Sequence, residues 1–231
     1  MKKIIEKINN KQWAILSLAI LIPLPSLGVL FGMILFPNTM IGATIFFACK
    51  VGLLAIPIIW LKLINKQQFT LSPAKQGGFL VSGLIGLFMS GIIFFAYYSL
   101  GPLLMDPVII QETMNDVGLA NKLSYLACVL YWVLINSILE EYVWRWFVVS
   151  QAEKIGSGPF AIVLSAIGFT LHHALAMSLY FNIVSVLLCS IAVFIAGLFW
   201  SWCYTKYRSI WPCYVSHAIV DIAIFYIGYI I

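Results

Sequence analysis

Apolar stretches of about twenty residues recur along the whole chain, and that is the length a helix needs to cross a hydrocarbon layer about 30 Å thick. The stretches run on without alternation, which argues against a transmembrane barrel. With 63% of its 231 residues hydrophobic and 9% charged, the chain also lacks the polar surface that would cover a soluble core. The fold class expected is therefore all-α, a polytopic transmembrane bundle forming one membrane domain over 1–231. Seven spans are predicted, near residues 12–36, 40–61, 79–100, 122–149, 159–178, 182–205 and 210–230.

The N-terminal "MKKIIEKINNKQWAILSLAILIPLPSLGVLFGMILF" has a basic start and an apolar run. The run is long for a signal peptide and lacks a small-x-small cleavage site, so it reads as a retained first span. Pro23 and Pro25 are expected to kink it. Cys49, Cys128, Cys189, Cys203 and Cys213 lie in apolar stretches without metal-ligand spacing and read as buried free thiols.

Basic residues orient the bundle. With the N-terminus inside, cytoplasmic segments and span ends hold Lys2, Lys3, Lys7, Lys11, Lys62, Lys66, Lys75, Arg145, Lys154, Lys206 and Arg208, out of 13 Lys and Arg. The longest outer segment, 101–121, carries Asp106, Glu112 and Asp116, and its apolar spacing fits a short interfacial helix, an eighth helix in all. A multi-pass protein of the cell membrane with a cytoplasmic N-terminus is expected, and the Lys-, Ile- and Asn-rich style suggests a bacterial one.

Few ionisable groups remain inside spans: Lys50, Glu140, Glu141, His172, His173, His217 and Asp221. A charge there costs about 2.5 kcal/mol or more, so each needs a partner or a wet cavity. Lys50 is read as structural, snorkelling or ion-paired, with recognition of a substrate carboxylate as the alternative. Around the turn "GSGP" (156–159), antiparallel neighbours put Glu140 at the depth of His173 and Glu141 at that of His172, roughly 15–25 Å from the turn. Glu141 lies four residues before Arg145, the favourable order for an ion pair, which leaves Glu140 free for chemistry. His217 and Asp221, also four apart, share a helical face.

A carboxylate and an imidazole sharing a water form a general-base pair for hydrolysis, and a second polar pair could stabilise an oxyanion. Ser216 or Ser165 as a nucleophile lacks a supporting glycine-rich turn. A zinc site from His173, His217 and a carboxylate is geometrically open, though its spacing is unlike HExxH.

Three motifs then stand in order: E-E-x-x-x-R in "EEYVWR" (140–145), F-x-x-x-H in "FTLHH" (169–173) and H-x-x-x-D in "HAIVD" (217–221). Together they resemble the CPBP family, which groups CAAX prenyl endopeptidases with bacteriocin-processing and immunity (Abi) proteins. The resemblance covers about 122–225, the expected catalytic helices. It implies a glutamate-type intramembrane protease without a cofactor or required metal. In that pattern Glu140 and His173 activate water, and His217 with Asp221 stabilises the oxyanion. Glu141, Arg145 and Phe169 support them, and His172 falls outside the motif. The position of Asp221 is often Asn in the family, and an ionised Asp cannot donate to an oxyanion. Asp221 is therefore expected either to be protonated or to orient His217.

The expected function is cleavage of a peptide or membrane-associated protein from a cytoplasm-facing cavity, as in pheromone or bacteriocin processing or self-immunity. Expected partners are that substrate and the lipid bilayer, with no nucleic acid. A non-proteolytic immunity or binding protein using the same pocket is the alternative. An ion-coupled transporter ranks last, because the ionisable groups are nearly confined to one half of the chain.

Overall fold

The computed structural model describes residues 9–66, 68, 70 and 72–231, and every regular element among them is helical. Seven helices are long and apolar enough to cross a membrane: α1 Asn10–Leu35, α2 Met40–Leu63, α3 Phe79–Leu104, α5 Lys122–Ala152, α6 Gly158–Met177, α7 Ile183–Tyr207 and α8 Ile210–Ile230. The eighth, α4 Pro107–Asp116, is the short helix expected in the 101–121 segment. The protein is thus a multi-pass membrane protein.

Local sequence sets the helix ends. Asn9 and Gln12 form a reciprocal capping box at the start of α1. Thr39, Asp106, Asn121, Asn182 and Ser209 each accept a backbone N–H in the first turn of α2, α4, α5, α7 and α8. Pro23 and Pro25 do break α1: its first segment stops at Leu21 and the helix resumes at Leu24, since proline has no N–H to continue the ladder.

Helix α6 packs along α7, and α8 along α3. Both contacts need small residues, because in lipid the helices associate by close packing rather than by leaving water. A Cβ on Gly86 would lie 3.0 Å from the Ser216 backbone, and one on Gly197 would lie 3.2 Å from Ala166 Cα. The opposite side of α3 exposes Leu80, Leu84, Leu87, Phe88 and Phe95, an apolar stripe suited to acyl chains.

The basic turns gather at one end. Arg208 in the α7–α8 turn donates to Glu153 after α5 at 2.8 Å, and Lys154 donates to Asn65 after α2 at 3.2 Å. At the other end α4 is tied to the end of α8, where Gln111 donates to the Ile231 carbonyl at 2.6 Å. Of the basic residues assigned to the inner side, Lys2, Lys3 and Lys7 lie outside the described residues.

Candidate active site

Helix α5 is irregular where it matters. Two wide π-helical stretches, Trp132–Asn136 and Tyr142–Val149, flank a short α-helical segment, Ser137–Glu141. Such turns insert residues into the helical register and are frequent at functional sites. Here they turn Ser137, Glu140 and Glu141 together toward α6 and α8.

Glu141 and Arg145 are fully buried, with Glu141 Oε2 3.4 Å from Arg145 Nε. The other Glu141 oxygen accepts a hydrogen bond from His217 Nδ1 at 2.8 Å. Glu141 therefore holds two partners rather than the one its spacing suggested. His217 Nε2 then faces two carboxylates, Glu140 Oε2 and Asp221 Oδ1, each at 3.7 Å.

Glu140 Oε1 lies 3.8 Å from His172 Nε2. Equal depth in the hairpin pointed to His173 as the partner of Glu140; the structure brings both histidines to it. One ligand atom from each of Glu140, His172 and His173 lies within 4.8 Å of the others. His173 Nδ1 is 2.8 Å from the Phe169 carbonyl. A carbonyl only accepts, so Nδ1 carries the proton and Nε2 is left with its lone pair. His172 Nδ1 makes a longer contact of the same kind, 3.5 Å to the Gly168 carbonyl. Two imidazoles and a carboxylate thus converge, a group able to share a water, a proton or a cation.

Asp221 is anchored by its second oxygen. Ser137 Oγ lies 2.6 Å from Asp221 Oδ2 and 2.9 Å from the Trp132 carbonyl. A hydroxyl has one proton, so Ser137 either shares it between the two oxygens or donates to the Trp132 carbonyl and accepts from a protonated Asp221 Oδ2.

Aromatic rings fix these groups in place. Phe169 is the hub, with its ring 4.4 Å from His173, 5.6 Å from His172 and 5.8 Å from His217, and with the Arg145 guanidinium 4.5 Å over its face. Trp144 stacks on His172 at 5.5 Å, and Trp200 stacks on His217 at 4.1 Å. Neither tryptophan was singled out from the sequence. Trp144 follows Glu140 by four residues, a usable signal; Trp200 reaches the site only because α7 packs beside α8.

The serine alternatives have no support. Ser165 is buried and donates to the Trp144 carbonyl at 2.9 Å. Ser216 is fully buried against Gly86. The zinc set considered from the sequence changes too, since His217 gives Nδ1 to Glu141 while His172 takes its place beside Glu140 and His173. Lys50 donates to Asn136 Oδ1 at 3.0 Å and lines one cavity with Glu140 and His172.

Residues 122–223 match the family described as type II CAAX prenyl endopeptidase, Rce1-like, a segment that contains every side chain of the cluster above. No curated protein and no solved structure matches the chain.

Proposed function

We propose that this chain, whose residues 122–223 match the family described as type II CAAX prenyl endopeptidase, Rce1-like, hydrolyses a peptide bond within the membrane, using a water activated by Glu140 and His173. The observation that carries this reading is the convergence of Glu140, His172 and His173 within ligand reach of one another. A water there can donate one proton to the carboxylate and one to an imidazole, with its lone pair aimed at a carbonyl carbon. As the water oxygen bonds to that carbon, its proton passes to Glu140 and the carbonyl oxygen becomes an oxyanion. When the C–N bond breaks, the proton goes on to the leaving amine.

His217 is the proposed oxyanion donor through Nε2–H, with Nδ1–H held by Glu141. That state makes the cluster neutral: Glu140 and Glu141 balance Arg145 and protonated His217, provided Asp221 is uncharged. Asp221 then keeps its proton toward Ser137, and its Oδ1 stands 3.7 Å from His217 Nε2, so it flanks the donor, leaves Nε2–H to the oxyanion and does not itself donate. The glutamate mechanism requires no metal. The substrate is an apolar peptide or membrane-associated protein entering from the cytoplasmic side, in pheromone or bacteriocin processing or in self-immunity.

A second reading has one specific support. Two histidines and a glutamate within ligand reach form a donor set that zinc hydrolases use, and a bound Zn²⁺ would supply an activated water there.

The decisive experiment compares peptide termini in cells and medium, by mass spectrometry, between wild type and Glu140→Ala at matched protein level. Termini that vanish in the variant are expected and would name the substrate. An unchanged set, with an immunity phenotype that still needs the protein, would replace proteolysis by binding.

A further inference from the structure

A cavity of about 360 Å³ opens at the basic end of the bundle, and no side chain of the Glu140 cluster lines it. Its size is that of a small-molecule site. It lies between the segment leading into α3 and the ends of α5 and α7, with Lys75, Gln76, Trp146, Tyr204, Tyr207 and Arg208 among its walls. Two of these are cations, and no acidic residue lines the cavity.

Specific contacts hold the α2–α3 segment in place as one wall. The Ser72 carbonyl accepts from Ser209 Oγ at 2.6 Å, and Ser72 Oγ accepts from the Ile210 N–H at 3.2 Å. Ser72 is buried with φ at 52°, a left-handed conformation uncommon outside glycine. Gly78, at φ 96°, passes so close to Tyr207 that a Cβ would lie 2.7 Å from the ring.

The positive charge around this cavity exceeds what the protein itself pairs. Lys75 is exposed and forms no ion pair among the described residues. Arg208 gives Nη1 to Glu153 and keeps its other donors. Lys206 stands over the rings of Trp202 and Tyr207 at 4.9 and 5.4 Å. The level matters as well: α7 ends at Tyr207 and α3 begins at Phe79, where the spans leave the hydrocarbon. Aromatic rings beside basic side chains suit that interface, and basic pockets between spans on the cytoplasmic side take anionic head groups.

We propose that this cavity binds the head group of an anionic phospholipid, with the phosphate held by Lys75 and Arg208 and the rest of the head group against Trp146 and Tyr207. Lysine supplies a point charge, and arginine a fork that matches phosphate oxygens. A lipid is favoured over a soluble phosphate by location, because its head group is already confined to this level and its acyl chains can run beside the exposed Trp202. The site is independent of whether Glu140 cuts peptide bonds.

The test places the full-length protein in nanodiscs of phosphatidylcholine and phosphatidylglycerol in equal amounts and counts the retained lipids by native mass spectrometry. The wild type should retain phosphatidylglycerol in preference. Lys75→Gln should lower that preference about fivefold, the weight of one basic residue at an anionic surface. Lys75→Arg, which keeps the charge, should keep the preference. Lys62→Gln removes an exposed cation at the end of α2 that does not line the cavity, and it should also keep the preference. Equal losses in Lys75→Gln and Lys62→Gln would reveal diffuse attraction to the basic end and overturn the site, as would no loss in Lys75→Gln. Soluble glycerol phosphate, added at millimolar concentration, should leave the retained lipid in place. Displacement that Lys75→Gln abolishes would assign the cavity to a soluble phosphate and overturn the lipid.

Discussion

His217 and Glu141, on helices α8 and α5, are joined by a 2.8 Å hydrogen bond from Nδ1 to Oε1, and the other oxygen of the same carboxylate faces Arg145 at 3.4 Å. One fully buried carboxylate therefore holds two cationic or cation-capable groups, while Glu140 beside it holds none at hydrogen-bond distance. The two adjacent glutamates thus stand in different surroundings: Glu141 ties the helices together, and Glu140 is left for the proposed chemistry.

Substitution separates these jobs. Glu141→Gln leaves Arg145 buried without a counter-charge, and breaking such a pair costs about 3–5 kcal/mol. Its thermal unfolding midpoint in detergent should fall by several degrees. Glu140→Gln should unfold close to wild type yet cleave at least about a hundredfold more slowly, the range of a lost general base. A stable Glu141→Gln beside an unstable Glu140→Gln would reverse the assignment.

Zinc tests the convergent acceptors. Under the water mechanism, removing metals with a chelator leaves cleavage unchanged, and added Zn²⁺ inhibits by occupying Glu140, His172 and His173. His172→Ala removes one ligand, so it should raise the inhibitory zinc concentration at least about tenfold. Activity lost to the chelator and restored by zinc would instead establish the metal reading.

The two contacts of Ser137 make a prediction for Asp221. If that side chain is neutral, with one oxygen paired to Ser137 and the other facing His217 Nε2 at 3.7 Å, an amide can do the same work. Asp221→Asn should keep activity within about threefold, while Asp221→Ala removes the polar group beside His217 Nε2 and Ser137 and should lose about tenfold or more. Parallel loss in both variants would show that an ionised Asp221 is required.

Why part of this site was readable in advance is a matter of periodicity. The spans, the proline break in α1 and the ion pair of Glu141 with Arg145 follow from local rules of length, backbone chemistry and one-turn spacing. The Glu140–His172 contact does not. Counting equal depths assumes regular helices, and the π-helical stretches around Ser137–Glu141 alter the register that the count relies on. The reach of Ser137 to Asp221 and the stacking of Trp200 on His217 depend on which face α8 turns toward its neighbours. No spacing within one helix encodes that. The partner of Lys50 was not legible for the same reason, because Asn136 lies 86 residues away on another helix.

Orientation is open to a labelling test. The turns holding Asn65, Lys154 and Arg208 meet at the basic end of the bundle, and α4 lies at the other. The positive-inside bias predicts that the basic end faces the cytoplasm. In a variant with its native cysteines replaced, a membrane-impermeant maleimide should label Glu112→Cys in intact cells and label Lys154→Cys only after the membrane is opened. The opposite pattern would invert the topology and place the cavity's approach outside.

Phe169 should be the most sensitive apolar position of the site. It is 2% exposed, touches the rings of all three histidines and lies under the Arg145 guanidinium at 4.5 Å. Phe169→Ala should destabilise the protein by about 3–5 kcal/mol, as emptying a buried aromatic site does. Phe169→Leu keeps most of the volume but gives up the ring face under Arg145, a contact of about 1–2 kcal/mol. It should therefore fold nearly normally while cleavage falls, because Arg145 and, through Glu141, His217 lose their fixed positions. Denaturant unfolding and initial rates measured on the same preparations separate the two effects. If Phe169→Leu keeps the wild-type rate, the ring acts as filler, and the orientation of His217 comes from Glu141 and Trp200 alone.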